Sequence, residues 1–150
     1  MNQSEFEALM ADASKTIEGE IRWSNDEDHS PAVEFRADVT SEAGHPLFIR
    51  GSYNALARTL SYVLIHKAWG RIYGLDMGKE HHNPTCDLVG ETHKHRWSER
   101  FRDKEAYVPE DITALVSEPV AVWRQFCREA RINHVSIMQP PHAPRLEMVI

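Results

Sequence analysis

The stretch Val33-Glu34-Phe35-Arg36-Ala37-Asp38-Val39 alternates apolar and charged or polar side chains over seven residues. A period of two is that of a strand with one buried and one wet face. Ser41 to Pro46 then supply turn residues, and Leu47-Phe48-Ile49-Arg50 reads as the antiparallel partner, closed by Gly51-Ser52. A hairpin with one dry face needs a cover, so the rest of the chain is read for what pairs with it and what packs on it.

Upstream, Ser4 and Glu7 form a capping-box pattern, and Phe6, Leu9, Met10, Ala13 and Ile17 recur at helical spacing, predicting a helix over about 4–19. Glu20-Ile21-Arg22-Trp23 reads as a strand ending in the polar loop from Ser24 to Asp28. Downstream, Leu56 to Ile65 fits either a helical stripe or a strand. Its β-branched and aromatic content favours the strand. Arg71 to Leu75 and His93 to Trp97 are further short strands. Pro109 with Glu110 and Asp111 marks a helix start. A second start at Ser117-Glu118-Pro119 leads into the apolar face of Val120, Val122, Trp123, Phe126, Cys127 and Ala130. His134 to Met138 fits an edge strand, the prolines from Gln139 to Pro144 exclude a sheet interior, and Leu146, Met148 and Ile150 alternate again. The order predicts an α+β fold: a mostly antiparallel sheet of about five to seven strands, packed by an N-terminal helix and a C-terminal helical segment. One domain over 1–150, with a proline-containing tail from about 139, suits the length.

Composition narrows the class. With 41% hydrophobic and 27% charged residues in 150, the chain has the make-up of a folded globule. No apolar run is long enough to span a bilayer, and the N-terminus lacks the pattern of a signal peptide, so a cytoplasmic protein without membrane contact is expected. Cys86 and Cys127 stand far apart outside any thiol motif, which argues for free thiols. A net charge of −6 opposes wrapping a nucleic-acid backbone with the whole surface. Only the local run Lys94, Arg96, Arg100, Arg102 and Lys104 offers a basic patch.

Four of the nine histidines fall between residues 81 and 95, at His81, His82, His93 and His95. Imidazole holds transition metals and moves protons near neutral pH. On a strand, His93, His95 and Trp97 share one face, opposite Lys94 and Arg96. Two imidazoles on one face can share a divalent transition metal, zinc or similar, with further ligands from His81, His82, Cys86, Asp87 or Glu99. The expected metal set is His82, His93, His95 and Glu99, and the expected catalytic pair is His93 and His95. Three readings stay open: hydrogen-bonded sheet histidines with no ligand, a metal site, and metal-free acid–base work on a phosphate or nucleotide ligand. In the last, Lys94 and Arg96 point away from the imidazoles, so the stabilising cation has to come from elsewhere.

His93-Lys94-His95 with Glu99 resembles the first metal motif of cupins, but Gly90 stands too close to it and no second motif follows. His81-His82-Asn83-Pro84 is superficially similar to HNH nucleases without their downstream helix. Taken together, Tyr73-Gly74-Leu75-Asp76, His82-Asn83-Pro84, His93-Lys94-His95 and Ala106-Tyr107 resemble a family of small uncharacterised proteins of bacteria and their phages. The likeness spans about residues 71–130 and carries no assigned activity. Its setting implies a second class of function: a non-enzymatic accessory protein that binds and inhibits a host nucleic-acid-handling complex of the defence or CRISPR type. Asp26, Glu27 and Asp28, near Glu18, Glu20 and Trp23, would then meet a basic partner surface.

Overall fold

The computed structural model describes residues 1–142 except Glu80 and Cys86, and the backbone but not the side chain of His82. The alternation at 146–150, the thiol of Cys86 and the His82 imidazole therefore lie outside the described residues.

Helix α1 covers Gln3–Ala11 and not 4–19. Asn2, not Ser4, is its cap: Asn2 Oδ1 accepts from the Glu5 backbone N–H at 2.8 Å. The helix stops where polar side chains compete for its backbone. The Asp12 carboxylate accepts from the Ser14 N–H (2.9 Å), the Ser14 hydroxyl (2.6 Å) and the Ser41 hydroxyl (2.6 Å). The Lys15 ammonium donates to the carbonyls of Leu9, Met10 and Asp12 at 2.6, 3.0 and 2.7 Å, taking up groups that a longer helix would have used. Phe6, Leu9 and Met10 are buried as the spacing predicts, whereas Ile17 belongs to β1 (Thr16–Ile17).

The expected strand at 20–23 is also displaced. Ile21 makes a single bridge to Met138, and β2 is Ser24–Asn25. The central meander follows the sequence closely: β3 (Val33–Val39), β4 (Leu47–Asn54), β5 (Thr59–His66) and β6 (Gly70–Met77). After a short hairpin of β7 (His81–His82) and β8 (Leu88–Val89), β9 (His93–Arg96) pairs with β6, and β10 (Ala106–Tyr107) pairs with β9. The result is a seven-stranded antiparallel sheet in the order β10-β9-β6-β5-β4-β3-β2. The expected helix start at 109–111 is not one, and Asp111 turns instead to Lys94. Helix α2 (Pro119–Ala130) begins at the second predicted start, and β11 (Asn133–His134) then runs parallel to β1. The fold is α+β.

Both helices contribute to the core on one face of the sheet. Trp123 and Phe126 of α2 meet Phe35, Tyr62 and Tyr73, and Phe6 of α1 meets Trp97. Gly51 opposes Phe35, and a Cβ there would lie 2.0 Å from the ring. The other face is polar, in cross-strand rows. One runs Ser24, Glu34, Ser52, Ser61, Asp76, His93; its neighbour runs Arg36, Arg50, Val63, Gly74, His95, Ala106.

Two outcomes follow. Gly51→Ala should destabilise the protein by about 1–3 kcal/mol in urea unfolding, because the buried Phe35 ring has to shift. The Asp12 carboxyl is held down at about 2 by its hydrogen bonds from Ser14 and Ser41, against an ordinary 3.8. A depressed carboxyl stabilises the fold fully above its unfolded value and loses that contribution as pH falls toward the folded one. Asp12→Asn should therefore be less stable than wild type above pH about 4, with the gap closing toward pH about 2 in acid-titrated urea melts.

Candidate metal centre

The register of β6 against β9 builds the site. Asp76 faces His93, and Gly74 faces His95, so one carboxylate and two imidazoles come together on the polar face. That face is covered here. The β7–β8 hairpin folds back over it, tied down by Asn83, whose side chain mimics a strand: its amide donates to the Ala106 carbonyl (2.8 Å) and its oxygen accepts from the Ala106 N–H (2.7 Å). His81, from the same hairpin, joins the pair. One nitrogen from each of His81, His93 and His95 lies within 4.8 Å of the other two, a group that can hold a metal ion. His93 and His95 are each only 2% exposed, while His81 is half-buried.

Hydrogen bonds to main-chain carbonyls assign the ring protons. His93 Nδ1 donates to Gly90 O at 3.1 Å, His95 Nδ1 donates to Asp103 O at 2.8 Å, and His81 Nε2 donates to Lys104 O at 2.7 Å. A backbone carbonyl can serve only as acceptor, so each bond fixes a tautomer and orients the opposite nitrogen. The Nε2 atoms of His93 and His95 each lie 3.4 Å from the same oxygen, Asp76 Oδ2. Asp76 is itself anchored: the Ser61 hydroxyl donates to its other oxygen, and Arg71 Nη1 stands 3.9 Å away. Arg71 also binds the Asp103 carboxylate (3.0 Å). Its stem passes over Gly74, where a Cβ would lie 3.5 Å from Arg71 Cδ.

Electrostatics follow. Burial alone would raise the Asp76 carboxyl, but His95 and His93, when protonated, and the hydrogen bond from Ser61 outweigh it and hold the group well below the usual carboxylate range. Burial pushes the His93 ring below its ordinary 6.5, and His95 and His81 add to that against the opposing pull of Gly90 O and Asp76. An ionised carboxylate beside a neutral imidazole is the donor chemistry that a cation site needs.

The structure brings two of the expected residues into one histidine group with His81. His93 and His95 are both there, and His81 completes the triad. The His82 side chain lies outside the described residues. Glu99 is exposed, beyond the end of β9, with its backbone N–H bonded to Gln3 on α1. Trp97 does not share a face with the imidazoles: the strand ends at Arg96, and Trp97 turns into the core against Phe6. Lys94 points into the protein, wholly buried, bound to Asp111 (2.5 Å) and Glu129 (3.2 Å); Tyr73 and Tyr107 also donate to Glu129. It therefore adds nothing to a surface basic patch. Asp76, which the strand Tyr73-Gly74-Leu75-Asp76 carries to the pair, was not among the expected site residues. Of the acidic run, Asp26 is committed to its own turn, accepting from the Asp28 N–H and meeting His29, while Glu27 and Asp28 are exposed. Cys127 is buried, which pushes its thiol up to about 12 and makes it unreactive.

The model of a family of unknown function (DUF6978) matches residues 1–132. The chain belongs to that family. The matched span contains every member of the DUF6978 chain's histidine site. Neither the curated proteins nor the solved structures gave a match to it. Among the described residues, no helix is long and apolar enough to cross a membrane.

Long-range proton–nitrogen NMR at neutral pH should show protons on Nδ1 of His93 and His95 and on Nε2 of His81. Protons on the nitrogens that face Asp76 would instead make the cluster a hydrogen-bonded structure without a ligand set.

Proposed function

We propose that this protein is a metalloprotein in which His81, His93, His95 and Asp76 hold one divalent transition ion, zinc being the best match, and that this site acts on a phosphate-bearing ligand. One observation carries the metal reading. Zinc bonds nitrogen and carboxylate oxygen at about 2.0–2.2 Å, so neighbouring ligands of a tetrahedral ion lie about 3.3–3.5 Å apart. The two imidazole nitrogens facing Asp76 Oδ2 stand at 3.4 Å, a separation longer than a good hydrogen bond and suited to the edge of that tetrahedron.

The remaining features agree with it. Carbonyl-fixed imidazoles, a hydrogen-bonded carboxylate and a buried setting are what surrounds metal ligands in general. Nitrogen-rich donors with one carboxylate select zinc or a similar transition ion over magnesium or calcium. When bound, such an ion supplies Lewis acidity toward a phosphoryl oxygen or an activated water. The chain's own part is to orient the ligand nitrogens through Gly90, Asp103 and Lys104. It also keeps Asp76 ionised through Ser61 and holds the Arg71 guanidinium beside it as an anion contact.

Protein purified without a histidine tag should contain about one equivalent of zinc by mass spectrometry. His93→Ala should lose it. Stripping the wild type with a chelator should lower its melting temperature, and added zinc should restore it, since an ion bound only by the folded state stabilises it by mass action. Metal-free protein that neither binds zinc nor gains stability from it would remove this reading.

A further inference from the structure

The polar face of the sheet carries a groove of about 640 Å³, lined by Glu34, Arg36, Arg50, Ser52, Ser61 and Lys79 among others. None of these side chains builds the core. Arg36 and Arg50 are direct cross-strand partners on β3 and β4. Like charges directly opposite destabilise a sheet. Both guanidiniums nonetheless stand by the one ring of Phe48, at 3.9 and 5.6 Å from its centroid. Arg36 approaches Asp38 at 3.7 Å, and among the described residues no carboxylate is within ion-pair distance of Arg50. Two cross-strand cations, one of them without an ion pair among the described residues, line an open groove with the Ser52 hydroxyl, the Ser61 hydroxyl being given to Asp76.

We infer that this groove binds a phosphate-bearing small molecule, its phosphate held by Arg36, Arg50 and Lys79. An anion placed between Arg36 and Arg50 turns their repulsion into two attractive contacts, and guanidinium forks with hydroxyl donors match the several oxygens of a phosphate. The volume falls within the range of about 300–1,000 Å³ that holds ligands of nucleotide size. Glu34 and Asp26, which also line the groove, accept from the hydroxyl or amine groups of such a ligand and disfavour a second anionic group beside them. The groove is joined to the histidines by one cross-strand row, Ser52, Ser61, Asp76, His93, and Ser61 both lines the groove and donates to Asp76. That the ligand's reacting end points along this row rests on the metal reading above; the groove itself does not.

Titration calorimetry with ADP, inorganic pyrophosphate and citrate, on the full chain as purified and after chelator treatment, tests this. ADP and pyrophosphate should bind both preparations, citrate should bind at least about tenfold more weakly, and Arg50→Gln should weaken both phosphate compounds by about tenfold or more, the loss of one charge-assisted contact. Arg50→Gln relieves a like-charge pair on an exposed strand position, so without ligand it should melt no lower than wild type; Arg36→Gln is the second variant should it misfold. Failure of both phosphate compounds to bind, citrate binding as tightly as pyrophosphate, or unchanged binding in both arginine variants would overturn the inference. Binding seen only in metal-loaded protein and indifferent to Arg50 would place the phosphate on the ion, overturning the groove and leaving the metal site standing. Arginine-dependent binding in protein that carries no metal as purified and takes up no added zinc would leave the groove standing and remove the metal reading.

Discussion

The pairing of β6 with β9 is the constraint on which the site depends. It sets Asp76 against His93 and Leu75 against Lys94. Because side chains alternate with a period of two, a slip of one residue would turn Lys94 onto the polar face and the imidazoles into the helix-covered core. Such a slip is opposed from both sides. Inside, the Lys94 ammonium is satisfied only where Asp111 and Glu129 wait for it, and a buried cation without its partners costs several kcal/mol, roughly 3–5 for one broken pair. Outside, only this register brings both imidazoles to Asp76, which Ser61 and Arg71 hold in place.

One strand of four residues thus carries two buried polar centres, one on each face. They differ in kind. The Lys94 centre is internally balanced, with one cation, two carboxylates and two tyrosine hydroxyls converging on Glu129. Its role is to fix the strand and to draw the 109–118 segment across the end of the core. The histidine centre is open in its bonding. Three imidazoles have one nitrogen each bonded to a carbonyl, and the remaining nitrogens of His93 and His95 face one carboxylate oxygen. A structure-only role would more simply use side chains that satisfy one another, as the Lys94 centre does. The hairpin that delivers His81 is held to β10 by Asn83 and buries Val89.

How much of this was legible in the sequence depended on distance along the chain. The alternation at 33–39 needed no long-range information, and β3 has those bounds. Helix α2 was likewise legible from its local stripe. Helix α1 was read too long because Ala13 and Ile17 keep the helical spacing, while the forces that end the helix come from the buried Lys15 and from Ser41, far along the chain. The strand at 20–23 failed for a similar reason: Ile21 pairs with the distant Met138, and only briefly. At the site, His93 and His95 announced themselves by their spacing. Asp76 did not, since it stands seventeen positions before His93 in sequence and only the register brings them together. The shared face of His93, His95 and Trp97 was a sound inference for a continuing strand. The strand stops at Arg96, which frees Trp97 to enter the core.

An ion held between the hairpin and the sheet would be directly visible. Anomalous diffraction across the zinc absorption edge, on crystals of untagged protein, tests it most directly. The account predicts one strong anomalous peak within bonding distance of His81, His93, His95 and Asp76. A structure with no peak there, and with His93 and His95 donating hydrogen bonds to Asp76 instead, would contradict it.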